Sequence, residues 1–380
     1  MDNAGAGIVG AMARDVVVIG ATVAGLTAAR RLASEGFDVT VLDPNPVGAS
    51  AGIGHGVAAC AHASTVANMA SAYGDESAHE HVRRNLSGMS EIRRVVPAGG
   101  VECATLPLHD HSLGVALARE LRDVAVLITA AGARVDVREA SEDHRAGAWL
   151  HSEALAVDPA VYGAALASQA ATAGAAIRYD TTVTHLKRRD GMSLVSHRDN
   201  AAWARDLEVT RAVAVLDTLG ISPWGRIAQV ARSQWVPVLR CRTEEVAESI
   251  SLLAGPPVWM VRPDGDETML LGVKTSPESF DEAATELLRW AEATLGASDF
   301  RLSRLVIDPS DHGRPAVGAS AIPGGFYARG NGRGELMNGT ASGCWLASLL
   351  VGSEERDVAL PMSSRMRAHA RSLAHRLSRR

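Results

Sequence analysis

The segment 15–44, DVVVIGATVAGLTAARRLASEGFDVTVLDP, constrains the fold more than any other part of this chain. It opens with the apolar run Val16–Ile19, which predicts a buried strand. A turn with Gly20 and Gly25 follows, then apolar residues at helical spacing, and a second β-branched run ends on Asp43. The order strand, glycine turn, helix, strand is typical of the βαβ unit of doubly wound α/β domains, and it predicts a dinucleotide-binding fold.

The glycine loop departs from the G-x-G-x-x-G spacing at one position, where Thr22 replaces the second glycine. That glycine normally lets the backbone approach a phosphate, so threonine adds bulk there but offers a hydroxyl that can contact the phosphate. Gly20 is expected to make the turn, and Gly25 to let the helix lie close to the sheet. The N–H groups that begin the helix, at Val23 and Ala24, are expected to face the pyrophosphate. A βαβ turn with a purely structural role is the alternative.

Asp43 lies 18 residues after Gly25, about where the acid that accepts hydrogen bonds from the adenosine ribose should stand. The loop by itself does not distinguish NAD from FAD, so the rest of the chain must decide. Three later segments bear on this choice. They are a run rich in Gly, Ala and Ser at 44–60, a proline-started helix with a glycine stop and a strand at 151–186, and a strand pair that leads through a glycine-rich turn into a helix at 313–352.

Composition bounds the class of protein. A length of 380 residues suggests two domains or one large domain with an insertion. The net charge of −5 gives no electrostatic reason to expect nucleic acid. The basic tail 363–380 is expected to be a solvated, fraying terminal helix, and a nucleic-acid or membrane patch is its alternative. Four scattered cysteines without zinc spacing fit a reducing cytoplasm. No apolar run approaches the ~20 residues that a membrane helix needs, and the N-terminus is a poor signal peptide, so the expected location is cytoplasmic.

Several segments, taken in order, resemble the D-amino acid oxidase superfamily of FAD-dependent oxidoreductases, in its glycine oxidase and sarcosine oxidase branch. The similar stretches are the N-terminal βαβ segment with Thr22 as its departure, GASAGIGHGVAAC, VDPAVYGAAL with TAGAAIRYDTTV, AVAVLDTLGISPW, VWMVRPDGDETMLLG, and GRPAVG with GNGRGELMNGTASG. The resemblance covers most of the chain and implies that the cofactor is FAD.

The resemblance also implies which residues meet FAD. In the family, a small-residue run passes the flavin ring, the backbone at the position of Val183 meets adenine, the turn within 212–224 lies beside the pyrophosphate, and the closing glycine loop holds the flavin ring and ribityl chain. The cofactor-binding residues so implied are Gly20, Thr22, Val23, Ala24, Gly25, Asp43, Pro44, Ser50, Ala51, His55, Gly56, Val57, Val183, Leu219, Gly220, Gly332, Arg333, Gly334, Glu335 and Leu336.

The implied architecture is α/β, with a doubly wound, Rossmann-like FAD-binding domain and an α+β substrate domain built on an antiparallel sheet. The FAD domain is expected from 14–85, 158–225 and 310–362, and the substrate domain from 86–157 and 226–309. The implied reaction is hydride transfer from a carbon bearing an amine to flavin N5, with molecular oxygen or another acceptor taking the electrons. The expected partner is a small amine or amino acid, and a homo-oligomer is left open.

A substrate carboxylate requires a clamp, ordinarily arginine. Amino acid oxidases carry arginine about eight residues before the proline that matches Pro315, and this position holds Ile307, with Arg304 three residues away. Arg333 matches an arginine that glycine-oxidase-like members place over the flavin, and a surface salt bridge is its alternative. Glu335 falls near a glycine of the family's flavin loop. If Glu335 faces the ring, a cationic substrate is expected.

Two aromatic residues complete the predicted catalytic set. His55 has three interpretations: a covalent link to FAD, an acid–base or hydrogen-bonding group, or a residue packed beside the cofactor. We expect non-covalent FAD. Trp259 matches an aromatic residue of the substrate sheet, and a half-buried strand residue is its alternative. The run 109–111, HDH, and His62 lack accompanying residues at ligand spacing, so no metal site is predicted.

Three other functions are alternatives to amine oxidation. A flavin monooxygenase of the aromatic hydroxylase type shares the N-terminal motif, but the segment DPSDHGRPAVG suits the oxidase better. A non-catalytic flavoprotein would explain the departures at Thr22, Ile307 and Glu335. An NAD-linked dehydrogenase leaves the C-terminal glycine loop unexplained.

Overall fold

The computed structural model describes residues 12–52, 54–113, 118–139, 148–200, 207–220, 234–308, 310, 313–320 and 322–351. The predicted basic tail 363–380 lies outside them. Within the described residues, the chain forms two mixed sheets and seven α-helices, so the predicted α/β class is confirmed. None of these helices is long and apolar enough to cross a membrane.

The first sheet contains eight strands in the order β16-β17-β10-β1-β2-β7, and β8 and β9 extend it from β10. Its strands are β1 (Met12–Ile19), β2 (Val39–Leu42), β7 (Ala176–Arg178), β8 (Thr181–Arg189), β9 (Met192–Asp199), β10 (Glu208–Asp217), β16 (Ala316–Ala319) and β17 (Gly325–Arg329). Strands β17, β10, β1, β2 and β7 run parallel, as the βαβ pattern predicts. Val16–Ile19 of β1 are fully buried because helices and other strands cover both faces of a parallel sheet.

The second sheet contains nine strands in the order β15-β11-β14-β13-β12-β4-β6-β3, with β5 paired to β6. Its strands are β3 (Val57–Ala58), β4 (Cys103–Asp110), β5 (Asp136–Arg138), β6 (Trp149–Val157), β11 (Gln234–Arg242), β12 (Ile250–Leu252), β13 (Val258–Asp264), β14 (Glu267–Gly272) and β15 (Ser298–Ile307). All pairings are antiparallel except that of β12 with β4. Strand β3 belongs to this sheet although it falls within the segment 14–85, whose assignment to the FAD domain stays a prediction.

The helices are α1 (Val23–Ser34), α2 (Ala63–Tyr73), α3 (Asp75–Ala98), α4 (Ala118–Ala130), α5 (Pro159–Thr172), α6 (Phe280–Leu295) and α7 (Thr340–Val351). A one-turn 3-10 helix, Gly332–Gly334, and a π-helical turn, Glu335–Gly339, lead into α7. Helix α5 begins at a proline, and Asp158 caps it by accepting from the N–H of Ala160 at 2.7 Å. Helices α1 and α7 pack closely, since a Cβ on Gly343 would lie 2.4 Å from the carbonyl oxygen of Ala24.

Candidate active site

The loop between β1 and α1 requires glycine at both positions where the sequence retains it. Gly20 has φ +107°, and a Cβ there would lie 2.6 Å from the side chain of Leu219. A Cβ on Gly25 would lie 2.0 Å from the carbonyl oxygen of Gly20. The loop is therefore folded tightly against the end of β10, and the first N–H groups of α1, at Val23 and Ala24, have no intrahelical acceptor and are available to an anion.

Thr22 caps helix α1. Its Oγ1 accepts from the N–H of Gly25 at 3.0 Å and donates to Oγ1 of Thr218 at 2.9 Å. Thr218 in turn donates to the carbonyl oxygen of Ile19 at 3.0 Å. The hydroxyl proton of Thr22 is thus engaged within the protein, which differs from the expected hydroxyl–phosphate contact. The threonine holds the loop in shape where a second glycine would leave the helix uncapped.

Asp43 joins the loop to the end of β2. It is fully buried, and its carboxylate accepts from the N–H of Ala21 at 2.6 Å, the N–H of Asn45 at 2.8 Å and the hydroxyl of Ser50 at 3.1 Å. A carboxylate offers about four acceptor sites, so one remains for a ribose hydroxyl. Pro44 follows Asp43, and its carbonyl accepts from the side chain of Asn200 at 3.1 Å.

Several other residues that the sequence predicts near the cofactor have the following local contacts. Asp217 at the end of β10 accepts from the N–H groups of Leu219 and Gly220 at 3.1 and 2.7 Å. Gly220 has φ +68°, and the guanidinium of Arg329 fills the place of its absent side chain. Val183 is buried on β8. Three further predicted positions are also packed against their neighbours. Ala51 packs against Gly163 of α5, and Gly56 lies against the carbonyl of Val157. Leu336 is buried in the π-helical turn.

The three predicted catalytic residues come together from three distant segments. The guanidinium carbon of Arg333 lies 3.7 Å from the ring centroid of Trp259, and the ring of His55 lies 5.6 Å from it. His62 also faces Trp259, at 6.2 Å between ring centroids. The sequence does not predict His62 as part of this site. His62 follows His55 by seven residues, and the two-residue strand β3 lies between them. This short separation is the sequence signal that both histidines belong to one site.

His55 is a neutral hydrogen-bond donor. Its Nδ1 accepts from the N–H of Val57 at 3.1 Å, which leaves the ring proton on Nε2. That Nε2 is buried without a partner among the described residues. Burial, together with the positive charges of Arg262 and Arg333, holds the pKa of His55 well below its usual range. This disfavours a proton-transfer role near neutral pH and favours the hydrogen-bonding interpretation.

Arg333 has no acidic partner among the described residues. No described carboxylate forms a salt bridge with it, so the surface salt bridge is not observed. Removal from water lowers the pKa of its guanidinium to about 9, and its charge helps burial to lower the pKa of Lys274. A half-buried, unpaired guanidinium beside other cations is a site for an anion.

The other candidates for the carboxylate clamp lie elsewhere. Ile307 is 3 % exposed and packs in the core of the second sheet. Arg304 is exposed on the edge strand β15 and stacks on Trp235 at 4.4 Å. Arg304 therefore does not restore the expected arginine, and Ile307 belongs to the apolar cluster against which Trp259 packs.

The part of the chain that the structure describes contains no group of three or more His, Cys, Asp or Glu side chains arranged to hold a metal. His109 instead packs against Trp149 and His151, at 6.1 and 5.4 Å between ring centroids. Asp110 between the two histidines accepts from the N–H of Ala63 at 2.6 Å and so caps α2.

The residues present fit FAD. The glycine loop, the free start of α1 and Asp43 suit an adenosine pyrophosphate, and the unpartnered Nε2–H of His55 suits a large polar ligand lying along the 50–57 segment. A doubly wound sheet that carries such a loop, joined to a second and largely antiparallel sheet, is typical of a flavin oxidoreductase.

The chain matches the FAD-dependent oxidoreductase (DAO) family over residues 15–349 and belongs to it. It is an FAD-dependent oxidoreductase, and the match favours the oxidase family over the hydroxylase. A search of curated protein sequences found no significant match.

Solved structures share the fold at low identity. Glycine oxidase from Geobacillus kaustophilus is 16 % identical with a TM-score of 0.69, covering 90 % of this chain and 96 % of its own. L-proline dehydrogenase from P. horikoshii is 14 % identical, TM-score 0.70, with coverages of 92 % and 96 %. L-α-glycerophosphate oxidase from Mycoplasma pneumoniae, solved with FAD bound, is 15 % identical, TM-score 0.64, with coverages of 90 % and 95 %. Because these names include both amine and alcohol substrates, the fold does not define the substrate.

Proposed function

We propose that this enzyme oxidises the C–N bond of a small amino acid, with the substrate carboxylate bound by Arg333. The observation that carries the proposal is the guanidinium of Arg333, stacked on Trp259 at 3.7 Å and without a described acidic partner. Glycine oxidase and L-proline dehydrogenase, both amino acid enzymes by name, have the same fold. We also propose the division into FAD and substrate domains at the boundaries given above.

The cleft residues have distinct roles in this proposal. The guanidinium of Arg333 forms two hydrogen bonds to the carboxylate oxygens and so fixes the substrate's orientation. The indole of Trp259 supports the guanidinium through a cation–π contact. His55 donates a hydrogen bond from Nε2 and stays neutral. FAD, when bound, supplies the hydride acceptor. Because the surrounding charge is positive, the substrate amine is favoured in its neutral form, from which a hydride can leave.

The electron acceptor is proposed to be molecular oxygen. Structures with this fold include oxidases and a dehydrogenase by name, so the acceptor depends on local residues rather than on the fold. The rate of reoxidation of the reduced flavin by oxygen, compared with the rate by a quinone or a dye, distinguishes an oxidase from a dehydrogenase.

Anaerobic bleaching of the flavin absorbance by matched substrate pairs tests the proposal. The pairs are glycine and methylamine, sarcosine and dimethylamine, and L-proline and pyrrolidine, with sn-glycerol 3-phosphate as an alcohol control. We expect at least one amino acid to bleach the flavin and its decarboxylated partner to fail. Bleaching by the amines as readily as by the amino acids would contradict the role of Arg333. Bleaching by NAD(P)H only would support a monooxygenase, and no bleaching by any compound would support a non-catalytic flavoprotein.

A further inference from the structure

Glu335 lies where three segments that are predicted to bind FAD come close together. It begins the π-helical turn before α7, and its Oε1 lies 3.0 Å from the place that a Cβ on Gly339 would occupy. The same place is 3.1 Å from Cβ of Val23, the first residue of α1. On its other side, the Cβ of Glu335 lies 3.9 Å from the corresponding place on Gly54. The carboxyl group therefore lies beside the first residue of α1, whose N–H groups are predicted to bind the pyrophosphate.

The groups that favour the anion of Glu335 are outweighed by its burial. Asp308 raises its pKa and Arg329 lowers it, but these two residues are bound to each other at 2.8 Å. Asn331 supplies the one side-chain hydrogen bond that favours the carboxylate. The first turn of α1 carries no acidic residue, and no described cation forms a salt bridge with Glu335. Burial dominates this balance and raises the pKa of Glu335 to about 8.

We propose that Glu335 is a cofactor-positioning residue that binds FAD as a neutral carboxylic acid and donates a hydrogen bond to the ribityl–pyrophosphate arm. A charged carboxylate here would repel the two negative charges of the pyrophosphate, whereas the protonated acid is a donor to its oxygens. Apolar sites elsewhere keep a carboxylic acid neutral at pH 7 for such donation. The inference rests on FAD binding, which the family defines, and not on the amino acid substrate.

The consequence is that FAD binding takes up a proton in alkaline solution. Below pH 8 the acid of the apoprotein is already protonated, so FAD binds without proton exchange at this group. Above pH 8 the apoprotein has lost the proton and must regain it to bind, since the cofactor's negative charge raises the pKa further. The dissociation constant for FAD should then rise up to roughly tenfold per pH unit. The neutral acid also replaces the expectation that Glu335 selects a cationic substrate.

Titration of the apoprotein with FAD between pH 6.5 and 9.5, followed by quenching of flavin fluorescence, tests this inference. Glu335→Gln keeps a neutral donor of the same shape, so we expect an FAD affinity near that of wild type at pH 7 and a flat profile above pH 8. Glu335→Ala should weaken binding at every pH. Glu286→Gln, on the exposed face of α6, is the matched control and should reproduce the wild-type profile.

Calorimetry on the wild-type protein gives a second readout that needs no variant. Heats of FAD binding in two buffers with different ionisation enthalpies should show no proton uptake at pH 7 and uptake approaching one proton at pH 9. Tighter FAD binding by Glu335→Gln and Glu335→Ala at pH 7 would mean that the acid is charged and repulsive. That result, or the absence of proton uptake at pH 9, would overturn the inference, whatever the substrate assays show.

Discussion

The guanidinium of Arg333, in the 3-10 helix before α7, lies over the indole of Trp259 on β13, with its carbon 3.7 Å from the ring centroid. The stack holds an unpaired cation at a fixed place in the cleft. His55 and His62 face the same indole from a third segment. This arrangement makes the substrate's charge the first property to test.

Arg333→Ala should raise KM for the best amino acid substrate by roughly 30-fold, about 2 kcal/mol, because a partly buried carboxylate loses its partner. Arg333→Lys should recover part of this loss, since a lysine supplies the charge without the bidentate fork. Steady-state kinetics measure both. Arg304→Ala, which removes the arginine–tryptophan stack on β15, is the control and should leave KM unchanged. Equal KM values for wild type and Arg333→Ala would place the clamp elsewhere.

His55→Gln should lower kcat without removing an ionisation from the pH profile between pH 6 and 8. The depressed pKa keeps the wild-type imidazole neutral across this range, so no titration of His55 is available to lose. The profiles of kcat for wild type and variant should therefore be parallel. If the wild-type pH profile of kcat showed an ionisation near pH 6.5 that is absent in the variant, the acid–base interpretation would be supported. Acid denaturation should leave no flavin on the wild-type chain, because we expect non-covalent FAD.

Thr22→Ala should destabilise the apoprotein by about 1 kcal/mol, because α1 loses its N-cap and Thr218 loses a hydrogen-bond donor. Thr22→Ser keeps the hydroxyl and should retain most of this stability. Thermal unfolding followed by circular dichroism measures the difference. Thr22→Gly should change FAD affinity only modestly, on the order of 1 kcal/mol, since the hydroxyl serves the helix. Complete loss of FAD in the glycine variant would show a direct role in binding.

Asp43→Ala should weaken FAD binding and also destabilise the loop, because the buried N–H groups of Ala21 and Asn45 lose their acceptor. Hydrogen bonds to a charged acceptor contribute about 1.5–3 kcal/mol each, so the loss should exceed that of Thr22→Ala. Apoprotein unfolding and FAD titration separate the two effects. Asp281→Ala on the exposed start of α6 is the control. Wild-type FAD affinity in Asp43→Ala would mean that this acid does not bind the ribose.

Glu335→Gln should stabilise the apoprotein at pH 8 and have no effect at pH 4. In the unfolded chain the carboxyl ionises near its usual value of 4.5, whereas in the fold it stays protonated to about 8. The unfolded state therefore binds fewer protons across this window, and wild-type stability falls as the pH rises from 4.5 to 8. Because Glu335 is partly exposed, the free energy of unfolding of Glu335→Gln at pH 8 should exceed that of wild type by on the order of 2 kcal/mol. Unfolding curves with the same pH dependence in both proteins would contradict the raised pKa.

Elements that depend on local spacing along the chain could be predicted from the residues alone. The run 15–44 predicts β1, α1 and β2 because strand and helix periods, glycine turns and an acid at a fixed distance are properties of neighbouring residues. Pro159 and Gly174 mark the two ends of α5 for the same reason. The ordered resemblance of later segments then predicts FAD, and the family match confirms it.

The hydrogen bonds and protonation of the polar side chains depend on the long-range packing of the fold. Thr22 reads as a phosphate contact until Thr218, nearly two hundred residues later, is seen to take its hydroxyl proton. For Glu335 the sequence shows only its place in the predicted flavin loop, whereas the structure shows its carboxyl group beside Val23 and Gly339. Burial and partner choice, which set protonation and hydrogen bonding, arise from long-range packing, and periodicity along the chain carries no information about it.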